Sequence, residues 1–130
     1  MKGIEEERIK DTVHSYVSGV VEFNFDKGES AWHPDGLKIS LDSKGGLVTR
    51  TILDTRPDLS QDDIERVKEE VSQNGTIESI DLTGIAANVK LVWQFEKDGE
   101  RKRITDYVLL LKGLDGWRIV GKISNEEPIQ

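Results

Sequence analysis

The stretch ANVKLVWQFEKDGERKRITDYVLL, residues 87–110, carries two apolar-rich segments on either side of the dipeptide Asp98-Gly99. An Asp-Gly pair between two such segments favours a two-residue β-hairpin loop, because both residues accept the positive φ angles of a type I′ turn. The register then follows pair by pair: Lys97–Glu100, Glu96–Arg101, Trp93–Ile104, Leu91–Asp106, Val89–Val108 and Ala87–Leu110. The stretch therefore predicts two long strands of an antiparallel sheet.

Residues that pair across a hairpin project to the same side of the sheet, so the register also sorts the side chains into two faces. One face collects Ala87, Val89, Leu91, Trp93, Ile104, Val108 and Leu110. The other face begins with the charged pair Glu96–Arg101, which belongs in water, so we expect the apolar face to be the core. Asp106 projects into this core, and a carboxylate there needs a partner because an unpaired buried charge is costly.

The next hairpin turns at Asp115-Gly116. Whether its loop has two or four residues, the alternation puts Trp117, Ile119 and Ile123 on the core face. The outer face keeps an apolar patch among charged residues: Val92, Tyr107, Leu109, Leu111 and Val120, with Lys90, Arg103, Arg118 and Lys122. A mixed apolar patch on an exposed sheet face predicts a covering partner, and we expect a homodimer that packs sheet to sheet.

A turn at Gly84-Ile85 extends the register in the other direction. It places Ile80 and Leu82 inside and sets Glu78 opposite Leu91. Glu78 and Asp106 would then share one face, two strands and roughly 10 Å apart.

The N-terminal half reads as helices and a short hairpin. Residues 4 to about 25 have the apolar spacing of an amphipathic helix, which Asp26-Lys27-Gly28 would end. Residues 37–41 and 47–53 predict two strands around a turn at 42–46. A second helix would start at Ser60, an N-cap with Asp63 three positions on, and end before a C′ glycine at Gly75. Its predicted buried stripe is Ile64, Val67 and Val71.

Composition restricts the class of protein. A length of 130 residues fits a single domain spanning 1–130, and a formal charge of −7 argues against nucleic-acid and anionic-membrane partners. The chain has no cysteine, and its two histidines are isolated, so we expect no metal site. Charged residues interrupt the first 25 positions, and no apolar run is long enough to span a membrane, so we expect a cytoplasmic protein.

The order helix, short turn, hairpin, helix and antiparallel meander resembles the nuclear-transport-factor-2-like superfamily, and within it the branch described as putative lumazine-binding, near the SnoaL-like proteins. The matching residues are Tyr16-Val17-Ser18-Gly19, Trp32-His33-Pro34-Asp35, Ile104-Thr105-Asp106-Tyr107-Val108-Leu109-Leu110-Leu111 and Gly116-Trp117-Arg118-Ile119-Val120. The resemblance implies a cone-shaped α+β (cystatin-like) fold, with a strongly curved, mostly antiparallel sheet, helices on its concave face and a pocket. It also implies dimers through the convex face. The superfamily includes both enzymes and binding proteins, so the fold does not define the function.

Asp106 is the first candidate site residue, as a general acid or base or as a structural carboxylate held by a helix N-terminus, a tyrosine or a backbone amide. His33, at the expected rim of the pocket, is its candidate acid–base partner or a histidine that fixes its own loop. Tyr16, Trp32 and Trp93 are pocket walls if a pocket is open, and otherwise core. Glu78 is a second inward carboxylate if the weaker register holds.

Three functions remain open at this point. The first is a small-molecule-binding protein without a cofactor, whose apolar or partly polar ligand is oriented by Asp106 and His33. The second is a cofactor-independent isomerase, dehydratase or hydrolase that uses the same two residues as acid and base. The third is a non-catalytic accessory domain that dimerises through Tyr107, Leu109, Leu111 and Val120.

Overall fold

The computed structural model describes residues 2–129, which form helices on one side of a six-stranded sheet. The helices are α1 (Lys2–Glu22), α2 (Phe25–Ser30) and α3 (Gln61–Glu70), with a 3-10 turn at Leu53–Thr55. The strands are β1 (Trp32–Leu41), β2 (Leu47–Thr51), β3 (Val71–Thr83), β4 (Ala86–Lys97), β5 (Glu100–Gly113) and β6 (Gly116–Pro128). They lie in the order β2-β1-β6-β5-β4-β3, with β1 parallel to β6 and every other pair antiparallel. The predicted α+β class with a mostly antiparallel sheet is confirmed.

The hairpin between β4 and β5 has the predicted register along its whole length. Asp98 and Gly99 both have positive φ angles, 54° and 79°, as a type I′ turn requires. Leu91 pairs with Asp106, and the Asp106 carboxylate points into the core with only 1% of the residue exposed. The inward orientation of this carboxylate is therefore confirmed.

A β-bulge in β6 changes the face of every residue beyond it. Leu110 pairs with Ile119, but Leu109 pairs with Gly121, so one extra residue is inserted at position 120. The prediction for Ile123 is wrong: this side chain pairs with Tyr107 on the outer face and is 51% exposed. The prediction that Lys122 lies on the outer face is wrong for the same reason, since Lys122 pairs with the fully buried Val108. A bulge inverts the side-chain alternation, and no turn rule reveals it.

A second bulge, in β3, overturns the predicted position of Glu78. Ile77 pairs with Leu91 and Ser79 pairs with Lys90, so Glu78 is the extra residue. Its carboxylate is half exposed and lies 3.8 Å from the ammonium of Lys90, whose neighbour in β5 is the exposed Tyr107. Glu78 therefore does not share the inner face with Asp106.

The first helix ends earlier than predicted, and a second short helix follows it. α1 stops at Glu22, Phe23 takes a positive φ of 55°, and the side chain of Asn24 caps the N-terminus of α2. The segment 26–28, predicted to end the first helix, therefore lies inside α2. The backbones of α1 and α2 approach each other closely at Gly19 and Gly28. Position 19 requires glycine, because a Cβ there would lie 2.3 Å from the backbone nitrogen of Gly28.

The second predicted helix begins as expected and ends early. Ser60 and Asp63 form the full capping box, with the Ser60 hydroxyl accepting from the Asp63 amide at 3.1 Å. The C-terminal prediction is wrong: α3 ends at Glu70, and Gly75 lies within β3, opposite Trp93. The predicted stripe of Ile64, Val67 and Val71 is half-buried. Pairing of β3 with β4 from Val71 to Ile77 outweighs the local glycine signal.

The core lies between α1 and the inner face of the sheet. Ile9, Val13 and Tyr16 of α1 are buried against it, and the sheet contributes Val89, Leu91, Trp93, Val108, Leu110, Trp117 and Ile119. Glu5 links the start of α1 to the sheet. Its carboxylate accepts hydrogen bonds from Trp117 Nε1 at 2.6 Å and from Lys112 Nζ at 2.8 Å. Within residues 2–129, no helix has the length and apolar character needed to cross a membrane.

Candidate functional site

A cavity of about 430 Å³, here called the outer chamber, opens between the helices and the sheet. Its walls come from α1, α2, the 3-10 turn, α3 and the strands, and they are mostly apolar. The lining residues are Tyr16, Gly19, Val20, Phe23, Asn24, Phe25, Gly28, Glu29, Lys38, Ile52, Thr55, Arg56, Pro57, Val67, Val71, Gln73, Phe95 and Lys97. This volume lies in the range of small-molecule binding pockets.

A smaller space of about 150 Å³, the inner chamber, adjoins the outer one and reaches deeper into the core. Tyr16, Val20, Gln73 and Phe95 line both chambers. The inner chamber is completed by Trp93, Ile104, Asp106 and Lys122. The cavity therefore has an apolar entrance region and a polar inner end.

Asp106 has several partners in this inner end. Its Oδ2 accepts a hydrogen bond from Trp93 Nε1 at 2.8 Å, and its Oδ1 accepts one from the Ser124 hydroxyl at 2.6 Å. The ammonium of Lys122 lies 3.6 Å from Oδ2. Two hydrogen bonds and a nearby ammonium compensate for the burial of this carboxylate. The side chains that hold Asp106 are thus an indole, a hydroxyl and an ammonium, and differ from the helix N-terminus, tyrosine or backbone amide expected for a structural carboxylate.

Lys122 is the cationic partner that Asp106 requires. Its side chain is 16% exposed, and its Nζ donates to the Tyr16 hydroxyl at 3.1 Å. Burial alone would lower the pKa of Lys122, but the oxygens of Tyr16 and Asp106 outweigh that effect and raise the pKa above its usual value. Burial also raises the pKa of the Tyr16 phenol. At neutral pH the inner end therefore holds a charged ammonium and a neutral phenol.

Lys38 adds a second ammonium beside this group. Lys38 and Lys122 are register partners on the adjacent parallel strands β1 and β6, so their side chains leave the sheet on the same face. The Lys38 ammonium lies 5.7 Å from the centre of the Trp32 ring, and within residues 2–129 no acceptor bonds to it. Burial, and then repulsion by Lys122, lower the pKa of Lys38 to about 8, with Asp106 opposing the shift.

His33 is not brought to Asp106. The ladder between β1 and β6 is interrupted between Trp32 and Leu37, and His33 lies in this interruption with 51% of its side chain exposed. Its Nδ1 accepts from the backbone amide of Asp35 at 3.0 Å, which is the loop-fixing alternative. Within residues 2–129 no hydrogen bond or ion pair joins Asp106 to His33.

The three aromatic candidates are all buried and meet around Tyr16. The Tyr16 ring makes edge contacts with Trp32 at 5.8 Å and with Trp93 at 6.0 Å between ring centres. Tyr16 lines both chambers and Trp93 the inner one, so both are core residues and cavity walls at once. Trp32 is 3% exposed, and its Nε1 finds no hydrogen-bond partner in the described part of the chain.

Lys38 and Lys122 were missed by the sequence reasoning. In β1 the apolar residues Leu37, Ile39 and Leu41 alternate with Lys38, a pattern that favours a lysine in water. Leu41 is nevertheless 67% exposed, because Lys38 faces the cavity. An inward Asp106 indicated the need for a cationic partner, but β4, β5 and β6 carry eight lysines and arginines, so the sequence did not single out Lys122.

The polar atoms of the cavity suit binding through hydrogen bonds and charge. No group of three histidine, aspartate or glutamate side chains within residues 2–129 is placed to hold a metal ion. Asp106 accepts hydrogen bonds from Trp93 and Ser124 and forms an ion pair with Lys122, so this carboxylate helps to hold Lys122 in position. Lys38 lines the outer chamber and Lys122 the inner one, so both side chains face the cavity.

Helices on one side of a six-stranded, mostly antiparallel sheet, with an apolar cavity between them, form the nuclear-transport-factor-2-like fold. The chain belongs to the family described as "Putative lumazine-binding", whose model matches residues 4–124. Among curated proteins, none matches the sequence.

Solved structures agree with this fold. A nuclear-transport-factor-2-like protein of unknown function from Shewanella baltica is 22% identical, with a TM-score of 0.76 over 99% of this chain and 98% of that one. A domain of unknown function with a cystatin-like fold from Nostoc punctiforme is 13% identical, with a TM-score of 0.69 over 94% of this chain and 76% of that one. A ketosteroid isomerase-like protein from Erwinia carotovora is also 13% identical, with a TM-score of 0.61 over 94% of both chains. At such identities the likeness concerns the fold alone.

Proposed function

We propose that the protein binds a small molecule whose apolar body occupies the outer chamber and whose polar end reaches the inner chamber. The observation that carries this proposal is the composition of the cavity: apolar walls around about 430 Å³, with Asp106, Lys122 and Tyr16 gathered at the deep end. Binding pockets typically combine an apolar lining with a few convergent polar groups. Membership of a family described as lumazine-binding supports a small-molecule ligand as well.

A direct test uses prodan, a neutral naphthalene dye whose emission shifts to the blue in an apolar pocket. We expect saturable binding of one dye per chain, because the outer chamber is large enough for a two-ring molecule. Absence of saturable binding by the folded protein would contradict the proposal.

A blocking variant and its control lie on the same helix. Val67 is half-buried and lines the outer chamber, so Val67→Trp should fill the chamber and abolish the emission shift. Glu69 is exposed on α3 and does not line the chamber, so Glu69→Trp should bind the dye like the parent. If both variants bind equally, the dye occupies another surface.

Acid–base catalysis by Asp106 and His33 is not part of this proposal. His33 is exposed in the interruption of β1, and Asp106 already accepts from Trp93 and Ser124. A general acid and a general base must both lie within hydrogen-bond reach of the same bound substrate to act as a pair.

We also propose that two copies pack through the outer face of the sheet. Tyr107, Leu109 and Leu111 are 41–50% exposed there, and Ile123 joins them because of the bulge in β6. The variant Leu109→Lys should shift the protein to a monomer in sedimentation, while Leu114→Lys, at an exposed turn, should not. A monomeric parent protein at micromolar concentration would refute the proposal.

A further inference from the structure

The floor of the cavity carries more positive than negative charge. Lys38 and Lys122 project from paired positions on β1 and β6, and Asp106, on the other side of β6 in β5, lies 3.6 Å from the Lys122 ammonium. Asp106 compensates for one ammonium only. The protein as a whole has a formal charge of −7, so this local excess runs against its overall charge. A half-buried ammonium without an acceptor is unfavourable unless an anion joins it.

The remaining charged groups of the cavity do not supply that anion. Glu29 lines the outer chamber, but one of its oxygens lies 3.3 Å from the guanidinium of Arg56, which also reaches Asp26 at 3.2 Å. Lys97, at the opposite side, is a further cation. Across all the elements that enclose the cavity, the balance of charge favours a negatively charged ligand.

We propose that the ligand is an apolar carboxylate, whose two oxygens are held between the ammonium groups of Lys38 and Lys122 while its hydrocarbon part fills the outer chamber. This proposal rests on the proposed function, because it names the ligand class of the same cavity. Two ammonium groups on paired strands offer one donor to each oxygen, and hydrogen bonds between charged groups are stronger than neutral ones. A neutral or cationic ligand would leave Lys38 without a partner.

The test compares two ligands that share one ring system, naphthoate and naphthylmethanol, by calorimetric titration at neutral pH. We expect naphthoate to bind at least about tenfold more tightly, because a charge-assisted hydrogen bond adds to the apolar contact that both make. Lys38→Met should remove most of that advantage, so that naphthoate and naphthylmethanol bind with similar affinities. Lys44→Met, at an exposed position of the β1–β2 turn, should retain the preference.

Lys38→Met is a suitable variant because it removes an ammonium that has no acceptor within residues 2–129. We expect it to fold with undiminished thermal stability. The affinity of the parent for naphthoate should also fall as the pH rises through the Lys38 pKa of about 8, since the neutral amine no longer attracts the carboxylate. In Lys38→Met this fall should be absent, because Lys122 keeps its proton to higher pH.

The outcomes separate the two proposals. Equal binding of naphthoate and naphthylmethanol keeps the cavity as a binding site and overturns the carboxylate preference. A preference for naphthoate that survives Lys38→Met also overturns it, since the extra affinity would then arise elsewhere. Failure of both compounds and of prodan to bind would overturn the proposed function itself.

Discussion

Asp106→Asn should destabilise the protein strongly, although the two side chains have nearly the same shape. In the parent the carboxylate accepts from Trp93 and Ser124 and lies 3.6 Å from the Lys122 ammonium. The asparagine side chain of the variant can keep both hydrogen bonds, because the Ser124 hydroxyl can rotate to accept from the amide N–H of the asparagine. The charge is what the substitution removes, and Lys122 then remains as a poorly hydrated ammonium.

The magnitude follows from the burial of the pair. Removing one partner of a buried ion pair costs about 3–5 kcal/mol. We take the lower end, about 3 kcal/mol, because Lys122 is 16% exposed towards the cavity and keeps the Tyr16 hydroxyl. With about 2.1 cal/mol/K of unfolding entropy per residue, a chain of 130 residues has about 0.27 kcal/mol/K. The melting temperature should therefore fall by about 10 °C.

The assay is urea unfolding followed by tryptophan emission, combined with calorimetric melting. Asp81→Asn, which removes an exposed carboxylate from β3, is the matched control and should change the stability by less than about 0.5 kcal/mol. In a double-mutant cycle, Lys122→Met should also be destabilising, and the double variant should lose less stability than the two single losses added together. Additive losses, or a cost for Asp106→Asn below about 1 kcal/mol, would refute the ion-pair interpretation.

Three further predictions concern the scaffold. Gly19→Ala should lower the melting temperature markedly, because its Cβ would lie 2.3 Å from the α2 backbone; Gly3→Ala, whose Cβ meets nothing within 4 Å, is the control. Ser60→Ala should cost about 1 kcal/mol in urea unfolding, since it removes the N-cap of α3. The hydrogen bond from Lys112 lowers the pKa of Glu5. The interaction therefore stabilises the folded protein above the ordinary pKa of a glutamate, and this stabilisation is lost as the pH falls through the lowered pKa. Glu5→Gln should therefore lower the urea midpoint at neutral pH, with a smaller difference in acid.

The central hairpin could be predicted from the sequence because its determinants are local. Asp98-Gly99 specifies a turn with two positive φ angles, and the turn fixes the pairing of all residues that follow. The alternation of apolar residues then shows which face is buried. The inward position of Asp106 follows from these two rules alone, as does the need for a partner.

The cationic partner could not be predicted, because its position depends on contacts between distant strands. The interruption of β1 that exposes His33 also aligns Lys38 with Lys122, and it exists only where β1 meets β6, more than 80 positions later in the chain. The bulge at Glu78 likewise depends on the pairing of β3 with β4. A turn rule that counts residues outward from a loop is wrong beyond the first inserted residue.

The bulge at position 120 and the buried carboxylate of Asp106 explain each other. Without the extra residue, Asp106 would pair with Ile123, and the alternation would send Lys122 to the outer face. Asp106 would then keep the Trp93 hydrogen bond and lose both Ser124 and the ammonium, which leaves a buried charge uncompensated. With the bulge, Ser124 takes the place opposite Asp106, Lys122 enters the cavity, and Ile123 joins the apolar outer face. One inserted residue therefore makes the deep end of the cavity cationic and enlarges the surface proposed for dimerisation.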